Sequence, residues 1–223
     1  MTGALPSPLY AIADPCDRPA LDPVRLAAAM LDGGARCVQL RWKEAPTDRL
    51  FDAAVAIRRL AAERGARFVV NDRVDVALAA DADGVHLGQD DLPLDAARRL
   101  LGGSRLIGIS THTVEQARDA EQGGADYIGF GPLFGTGTKA TGYTPRGLDA
   151  LVAVRKAVRL PIVAIGGICE GHASAVLAAG ADAVAMISEL ALAADVRAKV
   201  RSVLATLRLA RPDPVSGVRS PSH

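Results

Sequence analysis

Short apolar runs rich in β-branched residues alternate along this chain with longer segments whose apolar residues recur at helical spacing. The short runs predict strands at 8–13, 36–41, 67–70, 83–87, 105–109, 126–130, 161–165 and 182–187. The longer segments predict helices at 22–33, 47–64, 73–80, 93–101, 113–123, 145–157, 170–179 and 194–209. Eight such repeats of strand and helix favour a parallel sheet that closes on itself. We therefore predict an α/β fold, a single-domain (β/α)8 TIM barrel.

Length and composition are those of one such barrel. The chain has 223 residues, of which 49% are hydrophobic, and a (β/α)8 barrel commonly uses about 250 residues. The net charge of +1 gives no general attraction to nucleic acid or membrane. No apolar run approaches the roughly 18 residues of a membrane span, and the start of the chain lacks the pattern of a signal peptide. We expect a cytoplasmic protein with small-molecule partners, and a homo-oligomer is left open.

Two further predictions concern the C-terminal segment and the cysteines. After Leu209 the chain is rich in Pro and Ser and poor in apolar residues, which predicts a barrel domain at 1–209 and a disordered tail at 210–223. Cys16, Cys37 and Cys169 are odd in number and widely spaced. Free thiols are therefore expected, and neither a disulfide framework nor a zinc site is indicated.

Local signals place the helix ends. Thr113 and Gln116 have the spacing of a capping box, and Pro23, Pro93 and Pro145 suit first helical turns. The glycine pairs at 33–34, 102–103 and 123–124 supply the left-handed turns that return the chain to the next strand.

Charged and small polar residues stand directly after several predicted strands. They are Gln39, Arg41, Lys43, Asn71, Asp72, Asp91, Ser110, Thr136, Thr138 and Lys139. Because parallel strands of a barrel all end at the same face, these side chains are expected to converge there. Two carboxylates, several cations and several hydroxyls are the groups that a magnesium diphosphate requires.

Asp72 and Asp91 are the predicted metal ligands. Magnesium prefers a few hard oxygen ligands and retains water, so two carboxylates with diphosphate oxygens would complete its shell. Taken singly, each residue also has a structural interpretation: Asp72 would cap the helix beginning near Val74, and Asp91 would lie in the first turn before Pro93.

Gln39, Arg41 and Lys43 are spaced by two, so an extended strand would present all three on one face. A charged face at the mouth of a barrel would bind an anion, and the alternative is a solvated strand end. Trp42, the single tryptophan, would point the other way and pack.

Two glycine-rich segments predict further phosphate contacts. The segment 131–143 is long for a turn and combines glycines with hydroxyls and Lys139, which favours a phosphate-binding lid over unstructured glycine-rich chain. Gly166 and Gly167 end the seventh strand and Ser188 follows the eighth, where barrels often bind phosphate. A tight turn alone is the alternative for the glycine pair.

Six motifs in order resemble the thiamine-phosphate synthase family over about 9–190. They are Gln39-Leu40-Arg41-Trp42-Lys43, Asn71-Asp72-Arg73, His86 to Asp91, Ser110 to Thr113, Gly129 to Pro132 with Thr136 to Lys139, and Gly166-Gly167 with Ile187-Ser188. Ala13 stands before Asp14 where the family often has Thr, and glycine occupies both 135 and 137, which bears on the order of the lid.

The resemblance implies a transferase that joins 4-amino-2-methyl-5-(diphosphooxymethyl)pyrimidine to 4-methyl-5-(2-phosphooxyethyl)thiazole and releases diphosphate and thiamine phosphate. It implies Mg2+ as cofactor, held by Asp72 and Asp91. The residues it assigns to substrate binding are Gln39, Leu40, Arg41, Trp42, Lys43, Asn71, Ser110, Thr136, Gly137, Thr138, Lys139, Gly167, Ile187 and Ser188. Among them Arg41, Lys43, Ser110 and Lys139 are the expected catalytic groups.

We expect a dissociative alkyl transfer, because no Ser or Cys nucleophile paired with a His base is evident in the sequence. Magnesium, Arg41, Lys43 and Lys139 would neutralise the departing diphosphate. The rival enzymatic function is the related thiazole tautomerase, for which His112 would be the acid or base. His112 is expected to be structural, beside the capping Thr113. The third alternative is a catalytically idle barrel that binds a thiamine precursor or a protein.

Overall fold

The barrel predicted from the sequence is present and closed. The computed structural model describes residues 5–16, 18, 20–135 and 144–210. Its strands are β1 (Leu9–Ala13), β2 (Cys37–Leu40), β3 (Arg67–Asn71), β4 (Gly84–Leu87), β5 (Leu106–Thr111), β6 (Tyr127–Phe130), β7 (Ile162–Ala164) and β8 (Ala183–Met186). Each strand pairs in parallel with the next in sequence, and β8 pairs with β1, so the sheet has no open edge.

Helices follow the strands as predicted, and one short helix is present in addition. They are α1 (Pro23–Asp32), α2 (Thr47–Glu63), α3 (Val74–Ala79), α4 (Leu94–Leu101), α5 (Val114–Gln122), α6 (Gly147–Ala157), α7 (Glu170–Ala178), α8 (Ser188–Ala191) and α9 (Val196–Ala210). The prediction missed α8, a single turn that begins directly after β8 and is too short to show a helical period.

The helix-start signals had mixed outcomes. Pro23 begins α1, and the Thr113 hydroxyl accepts from the Gln116 amide, as predicted. The Gln116 side chain accepts from the backbone N–H of His112, one residue before the cap. The placement of Pro93 and Pro145 in first turns was wrong, because Pro93 caps α4 from outside and Pro145 precedes the cap of α6. Their fixed φ suits the approach to a helix as well as its first turn.

Alternation along the strands produces two separate apolar cores. One set of side chains, exemplified by Val38 and Val70, faces the helices and joins a continuous outer layer. The other set fills the barrel interior: Tyr10, Ile12, Cys37, Val69, Tyr127, Val163, Ala183, Ala185 and Ile187. Successive residues of a strand point to opposite faces, so one strand can supply both cores, and every strand except β4 and β5 does so. The inner core also contains the hydroxyls of Tyr10 and Tyr127, so it is partly polar.

The same set of contacts occurs just before three even-numbered strands. Asp83, Asp126 and Asp182 stand just before β4, β6 and β8, and each accepts the first or second backbone N–H of the preceding strand at 2.7–2.8 Å. Each also pairs with an arginine: Arg67, Arg98 and Arg155 respectively. We call these three pairs the strand-entry pairs. They lie at the end of the barrel opposite the predicted site, which assigns them to stability.

Two expectations concern regions at or beyond the edge of the described chain. Helix α9 includes Ala210, which the predicted boundary assigned to the tail, and residues 211–223 lie outside the described residues. Among the helices that the structure describes, none combines the length and apolar character of a membrane span.

Candidate functional site

A cavity of about 180 Å³ opens at the carboxyl ends of the strands. Its walls come from strand ends and from the loops after β5, β6, β7 and β8. The polar side chains in its lining are those of Tyr10, Gln39, His86, Ser110, His112, Tyr127, Cys169, Ser188 and Glu189. Concave sites with an apolar wall and a few convergent polar groups are typical of small-molecule binding.

A continuous chain of hydrogen bonds forms the inner part of this cavity. The Gln39 amide donates to the Tyr10 hydroxyl at 3.1 Å, and that hydroxyl lies 2.7 Å from the hydroxyl of Tyr127. The Tyr127 hydroxyl lies 3.1 Å from His86 Nδ1, and His86 Nε2 lies 2.9 Å from Ser110 Oγ. The chain therefore crosses the barrel from β2 to β5 through β1, β6 and β4.

Two glycines in strands make room for this chain. A Cβ at Gly108 would overlap the Tyr127 ring, and a Cβ at Gly129 would lie 2.9 Å from His86 Cε1. Glycine weakens a strand interior, so its presence in β5 and β6 indicates a close approach by another group. Here the approaching groups are the rings of the hydrogen-bonded chain.

The two predicted metal ligands meet beside the cavity. Asp72 lies within hydrogen-bonding distance of Asp91, and Lys43 Nζ lies 3.2 Å from Asp72 Oδ2. Burial raises the pKa of the Asp72 carboxyl, the neighbouring Asp91 raises it further, and Lys43 opposes the shift. Two carboxyl groups this close favour a cation between them. The capping interpretation of Asp72 was wrong, because Arg73 is the N-cap of α3. Asp91 does have a structural contact, since its carboxylate accepts from the Gly88 N–H at 2.6 Å.

The backbone at Asp72 is strained in a way that serves this arrangement. Its φ is +63°, in the left-handed region that non-glycine residues seldom occupy. Such strain persists where surrounding contacts determine the conformation, and it is found at functional sites. The Asp72 N–H donates to the carbonyl of His86 at 2.8 Å, which fixes the turn that follows β3.

Oxygen donors in this number suit magnesium better than a metal that needs a closed cage. Among the residues that the structure describes, no group of three or more His, Cys, Asp or Glu side chains converges. Magnesium is typically bound by one or two carboxylates together with substrate phosphates and water. Asp72 and Asp91 therefore fit a Mg²⁺ ion that also binds a phosphorylated ligand.

Arg41 is held at the barrel mouth by an ion pair. Its Nη1 contacts Asp14 Oδ2, and the backbone N–H of Cys16 donates to Asp14 Oδ1 at 2.8 Å. The Arg41 side chain is only 13% exposed, and its Nε has no hydrogen-bond partner within the described part of the chain. A buried guanidinium N–H without a partner is suited to an anionic ligand.

The loops after β7 and β8 form the opposite wall. Gly166 and Gly167 both have positive φ, and a Cβ on either would overlap the segment 131–135. Close backbone packing therefore explains the glycine pair in part, as the tight-turn alternative proposed. Gly167, Ile187 and Ser188 also line the cavity, so the pair is available to a ligand as well.

Helix α9 buttresses this wall through one lysine. Lys199 Nζ lies 3.2 Å from Glu170 Oε2 and 3.2 Å from Glu189 Oε1, which joins the starts of α7 and α8. Glu170 is further held by Ser202 at 2.6 Å. The two carboxylates stand next to the loops at 167 and 188, so Lys199 offsets negative charge beside the predicted phosphate site.

The predicted residues fall into three groups. Gln39, Ser110, Gly167, Ile187 and Ser188 line the cavity. The charged groups beside the cavity, which we call the charged rim, are Arg41, Lys43, Asp72 and Asp91. Asn71 is buried at the end of β3. Thr136, Gly137, Thr138 and Lys139 lie outside the described residues.

Two residues of the predicted binding set face elsewhere. Leu40 is completely buried in the outer core, so only its backbone is available to a ligand. Trp42 packs against the same core, as the sequence pattern predicted.

The sequence reasoning missed Tyr10, His86 and Tyr127 as site residues. His86 stands within one of the resemblance motifs without an assigned role, and no role is predicted for Tyr10 or Tyr127. The available signal was a polar ring opposite glycine on the neighbouring strand, since Gly108 is paired with His86 on one side and with Tyr127 on the other. His112 has a structural contact, as expected, because its Nδ1 lies 2.6 Å from the carbonyl of Gly131. It lines the cavity as well.

Comparison with known proteins identifies relatives over nearly the whole chain. The sequence model of the thiamine monophosphate synthase family matches residues 9–190. A thiamine-phosphate synthase of Moorella thermoacetica is 50% identical over 194 residues, which cover 87% of this chain and 91% of that protein. A thiamine-phosphate synthase of Pelotomaculum thermopropionicum is 46% identical over 82% of this chain and 84% of its own length.

A solved structure shares the fold at full length. The thiamine phosphate pyrophosphorylase from Pyrococcus furiosus superposes with a TM-score of 0.83 at 38% sequence identity. The match covers 94% of this chain and 98% of that one. The similarity therefore extends over nearly the whole of both chains.

Proposed function

Because this chain belongs to the thiamine monophosphate synthase family, we propose that it joins a pyrimidine diphosphate to a thiazole phosphate in a magnesium-dependent reaction. The family makes it a transferase of thiamine biosynthesis. The substrates are 4-amino-2-methyl-5-(diphosphooxymethyl)pyrimidine and 4-methyl-5-(2-phosphooxyethyl)thiazole, and the products are thiamine phosphate and diphosphate. Its partners are these small molecules, in the cytoplasm, rather than nucleic acid or membrane.

The observation that carries the proposal is the juxtaposition of Asp72, Asp91 and Lys43 beside a cavity with a partly apolar wall. Two carboxylates and a cation next to one another can bind a diphosphate together with its metal ion. The cavity beside them can hold the flat heterocycle to which the diphosphate is attached. Mg²⁺ held by Asp72 and Asp91 would neutralise negative charge on the diphosphate oxygens. A tautomerase acting on a monophosphate would have no use for this carboxylate pair.

The cationic side chains assist departure of the diphosphate. Lys43 and Arg41 stand at the rim, where they attract the diphosphate oxygens and stabilise the charge that develops as the carbon–oxygen bond breaks. Ser110 donates a hydrogen bond from the inner wall. Lys139, outside the described residues, is the remaining cation that we propose for this role.

The second substrate is held by the opposite wall. Gly167, Ile187 and Ser188 line the cavity at the starts of α7 and α8, where backbone N–H groups attract a phosphate. We propose that Thr136, Gly137 and Thr138 complete this phosphate site. Holding the thiazole by its phosphate brings the ring nitrogen close to the pyrimidine methylene carbon.

The electron balance requires no covalent bond to the protein. The carbon–oxygen bond breaks with its electron pair on the diphosphate, and the electron-rich aminopyrimidine supports the positive methylene carbon. The lone pair of the thiazole nitrogen then forms the new carbon–nitrogen bond. No proton is transferred, so this chain's residues orient the substrates and stabilise charge.

Thiamine phosphate formation from the two substrates tests the proposal, with and without Mg²⁺, in wild type and in Asp91→Asn. We expect product only with Mg²⁺, and a loss in kcat/KM of at least about a hundredfold in Asp91→Asn, because even indirect support of a metal is worth about 10–100-fold. Asp90→Asn is the matched control, since Asp90 is the exposed neighbour of Asp91.

Trp42 gives a second readout that does not need turnover. It stands between Arg41 and Lys43, so binding of inorganic diphosphate with Mg²⁺ should change its fluorescence in wild type and much less in Asp91→Asn. The proposal would be contradicted by product formation at the same rate with and without Mg²⁺, or by an Asp91→Asn variant as active as Asp90→Asn. Lys139→Ala in the same assay is expected to lose most activity.

A further inference from the structure

The hydrogen-bonded chain inside the barrel is an unusual use of a protein core. Tyr10 and Tyr127 are 2% and 1% exposed, and Gln39 is 2% exposed. Apolar side chains would fill the same space without the cost of removing hydroxyl and amide groups from water. Fully satisfied buried networks fix one arrangement of their members. The arrangement that this chain fixes ends at Ser110, on the wall of the cavity.

The chain of donors has a direction that starts at Gln39. The Gln39 amide nitrogen donates to the oxygen of Tyr10. Directing the Tyr10 hydrogen to the oxygen of Tyr127, 2.7 Å away, then gives this hydroxyl both a donor and an acceptor. In this arrangement the Tyr127 hydrogen is directed to His86 Nδ1, 3.1 Å away. Because Nδ1 accepts, the proton of the neutral imidazole lies on Nε2, which donates to Ser110 Oγ.

The two tyrosines keep their protons throughout the working range of pH. Burial raises the pKa of Tyr10 well above its ordinary value, and the adjacent Tyr127 raises it further. Burial likewise raises the pKa of Tyr127. Both hydroxyls therefore remain donors, and the polarity of the chain does not reverse through loss of a tyrosine proton.

We propose that Tyr10 and Tyr127 are positioning residues that hold His86 in its Nε2–H tautomer and thereby direct the Ser110 hydroxyl hydrogen toward the bound diphosphate. Because Ser110 Oγ accepts from His86, its own hydrogen is available to a ligand in the cavity. The opposite tautomer would make Ser110 donate to His86 instead and would remove that donor from the ligand. This role rests on the proposed function, since it concerns the departure of the diphosphate.

The consequence is a specific kinetic signature. Negative charge on the diphosphate grows as the carbon–oxygen bond breaks, so a donor aimed at it stabilises the transition state more than the bound substrate. Loss of the donor should therefore lower kcat and leave both KM values nearly unchanged. A residue needed only for stability would lower the amount of folded enzyme and leave kcat per folded molecule the same.

Tyr127→Phe is the test variant, because it keeps the ring and removes only the hydroxyl. We expect kcat to fall roughly 10- to 100-fold, the range in which misplacement of a catalytic group costs rate, with each KM within about twofold of wild type. Thr111→Val is the matched control. Thr111 is a buried residue of β5 whose hydroxyl donates to the Gly129 carbonyl at 3.2 Å, outside the chain.

The tautomer of His86 is measured directly by nitrogen-15 NMR of the free enzyme, with the signal assigned by its loss in His86→Asn. Wild type should show a protonated Nε2 and an unprotonated Nδ1, and Tyr127→Phe should show a mixture. This measurement needs no substrate, so it stands even if the assay for thiamine phosphate fails. A kinetic change in Tyr127→Phe alone bears on the tyrosines and not on the proposed reaction.

Two results would overturn the inference: a wild-type His86 protonated on Nδ1, or a Tyr127→Phe enzyme whose kcat matches that of Thr111→Val. If Tyr127→Phe does not fold, Tyr10→Phe replaces it, because that variant removes the hydrogen that orients the Tyr127 hydroxyl. A fall in kcat with unchanged KM in Tyr10→Phe supports the inference, and an unchanged kcat opposes it.

Discussion

At the scale of single residues, the site depends on the absence of side chains as much as on their presence. Gly108 and Gly129 lie in adjacent strands and leave space for the rings of Tyr127 and His86. Asp72 accepts a left-handed conformation that brings its carboxyl to Asp91. Each of these residues looks ordinary in the sequence, because its importance depends on what lies across the barrel.

Gly108→Ala should therefore displace the ring of Tyr127, which lines the cavity. The added methyl would overlap the Tyr127 ring, and overpacking of a core typically destabilises a protein by about 1–3 kcal/mol. We expect a lower free energy of unfolding, measured by urea denaturation, and a lower kcat. Gly103→Ala is the control, since nothing lies within 4 Å of a Cβ there and its φ is not in the left-handed region. Equal stability of the two variants would show that Tyr127 is not confined as described.

At the scale of elements, the two ends of the barrel have different roles. The carboxyl ends of the strands hold the cavity and the proposed metal ligands, and the opposite end holds the strand-entry pairs. In the pair at β6, one oxygen of Asp126 accepts both the Ile107 N–H at 2.7 Å and Arg98 Nη2 at 2.6 Å. The carboxylate thus joins β5, β6 and α4, and its contribution should be to stability alone.

Asp126→Ala should destabilise the fold without changing the chemistry. Removing the carboxylate leaves a buried N–H and a half-buried guanidinium without their acceptor, which costs roughly 1–3 kcal/mol. We expect that loss in urea denaturation, with kcat of the folded enzyme unchanged. Asp95→Ala is the control, because it breaks an exposed ion pair with Arg99, the residue that follows Arg98 in α4. This variant should leave the urea midpoint of unfolding unchanged. A large fall in kcat for Asp126→Ala would refute the division of roles between the two ends.

At the scale of the whole molecule, closure makes the barrel one cooperative structure. The pairing of β1 with β8 joins the first strand to the last. Every strand contributes to the outer core, and every strand except β4 and β5 contributes to the inner one. No strand can be removed without opening the sheet and exposing both cores. The walls of the cavity are the ends of these same strands, so the site should be lost together with the fold.

Chemical denaturation can test this cooperativity with two probes. Trp42 is the single tryptophan and packs at the mouth, whereas far-UV circular dichroism reports all helices and strands. We expect the fluorescence and dichroism transitions to coincide within error, as for a two-state unit. A fluorescence transition at lower urea concentration would mean that the mouth unfolds before the barrel.

Much of the fold and of the charged rim followed from local sequence. The alternation of strand and helix signals predicted the barrel, because side-chain periodicity is a property of neighbouring residues. Asp72, Asp91 and Lys43 were predicted as a group, because residues that follow parallel strands must emerge at one end of the sheet. Short α8 escaped prediction, because one helical turn carries no period.

The sequence by itself determined the number and order of the strands and the inventory of charged groups at their ends. Only the tertiary structure decided which of those groups touch. Tyr10 and Tyr127 are separated by 117 residues and share a hydrogen bond across the barrel. Arg41 is paired with Asp14, which directly follows the neighbouring strand β1. Such contacts depend on the register and curvature of a closed sheet, which are set by packing among all eight strands rather than by any local pattern.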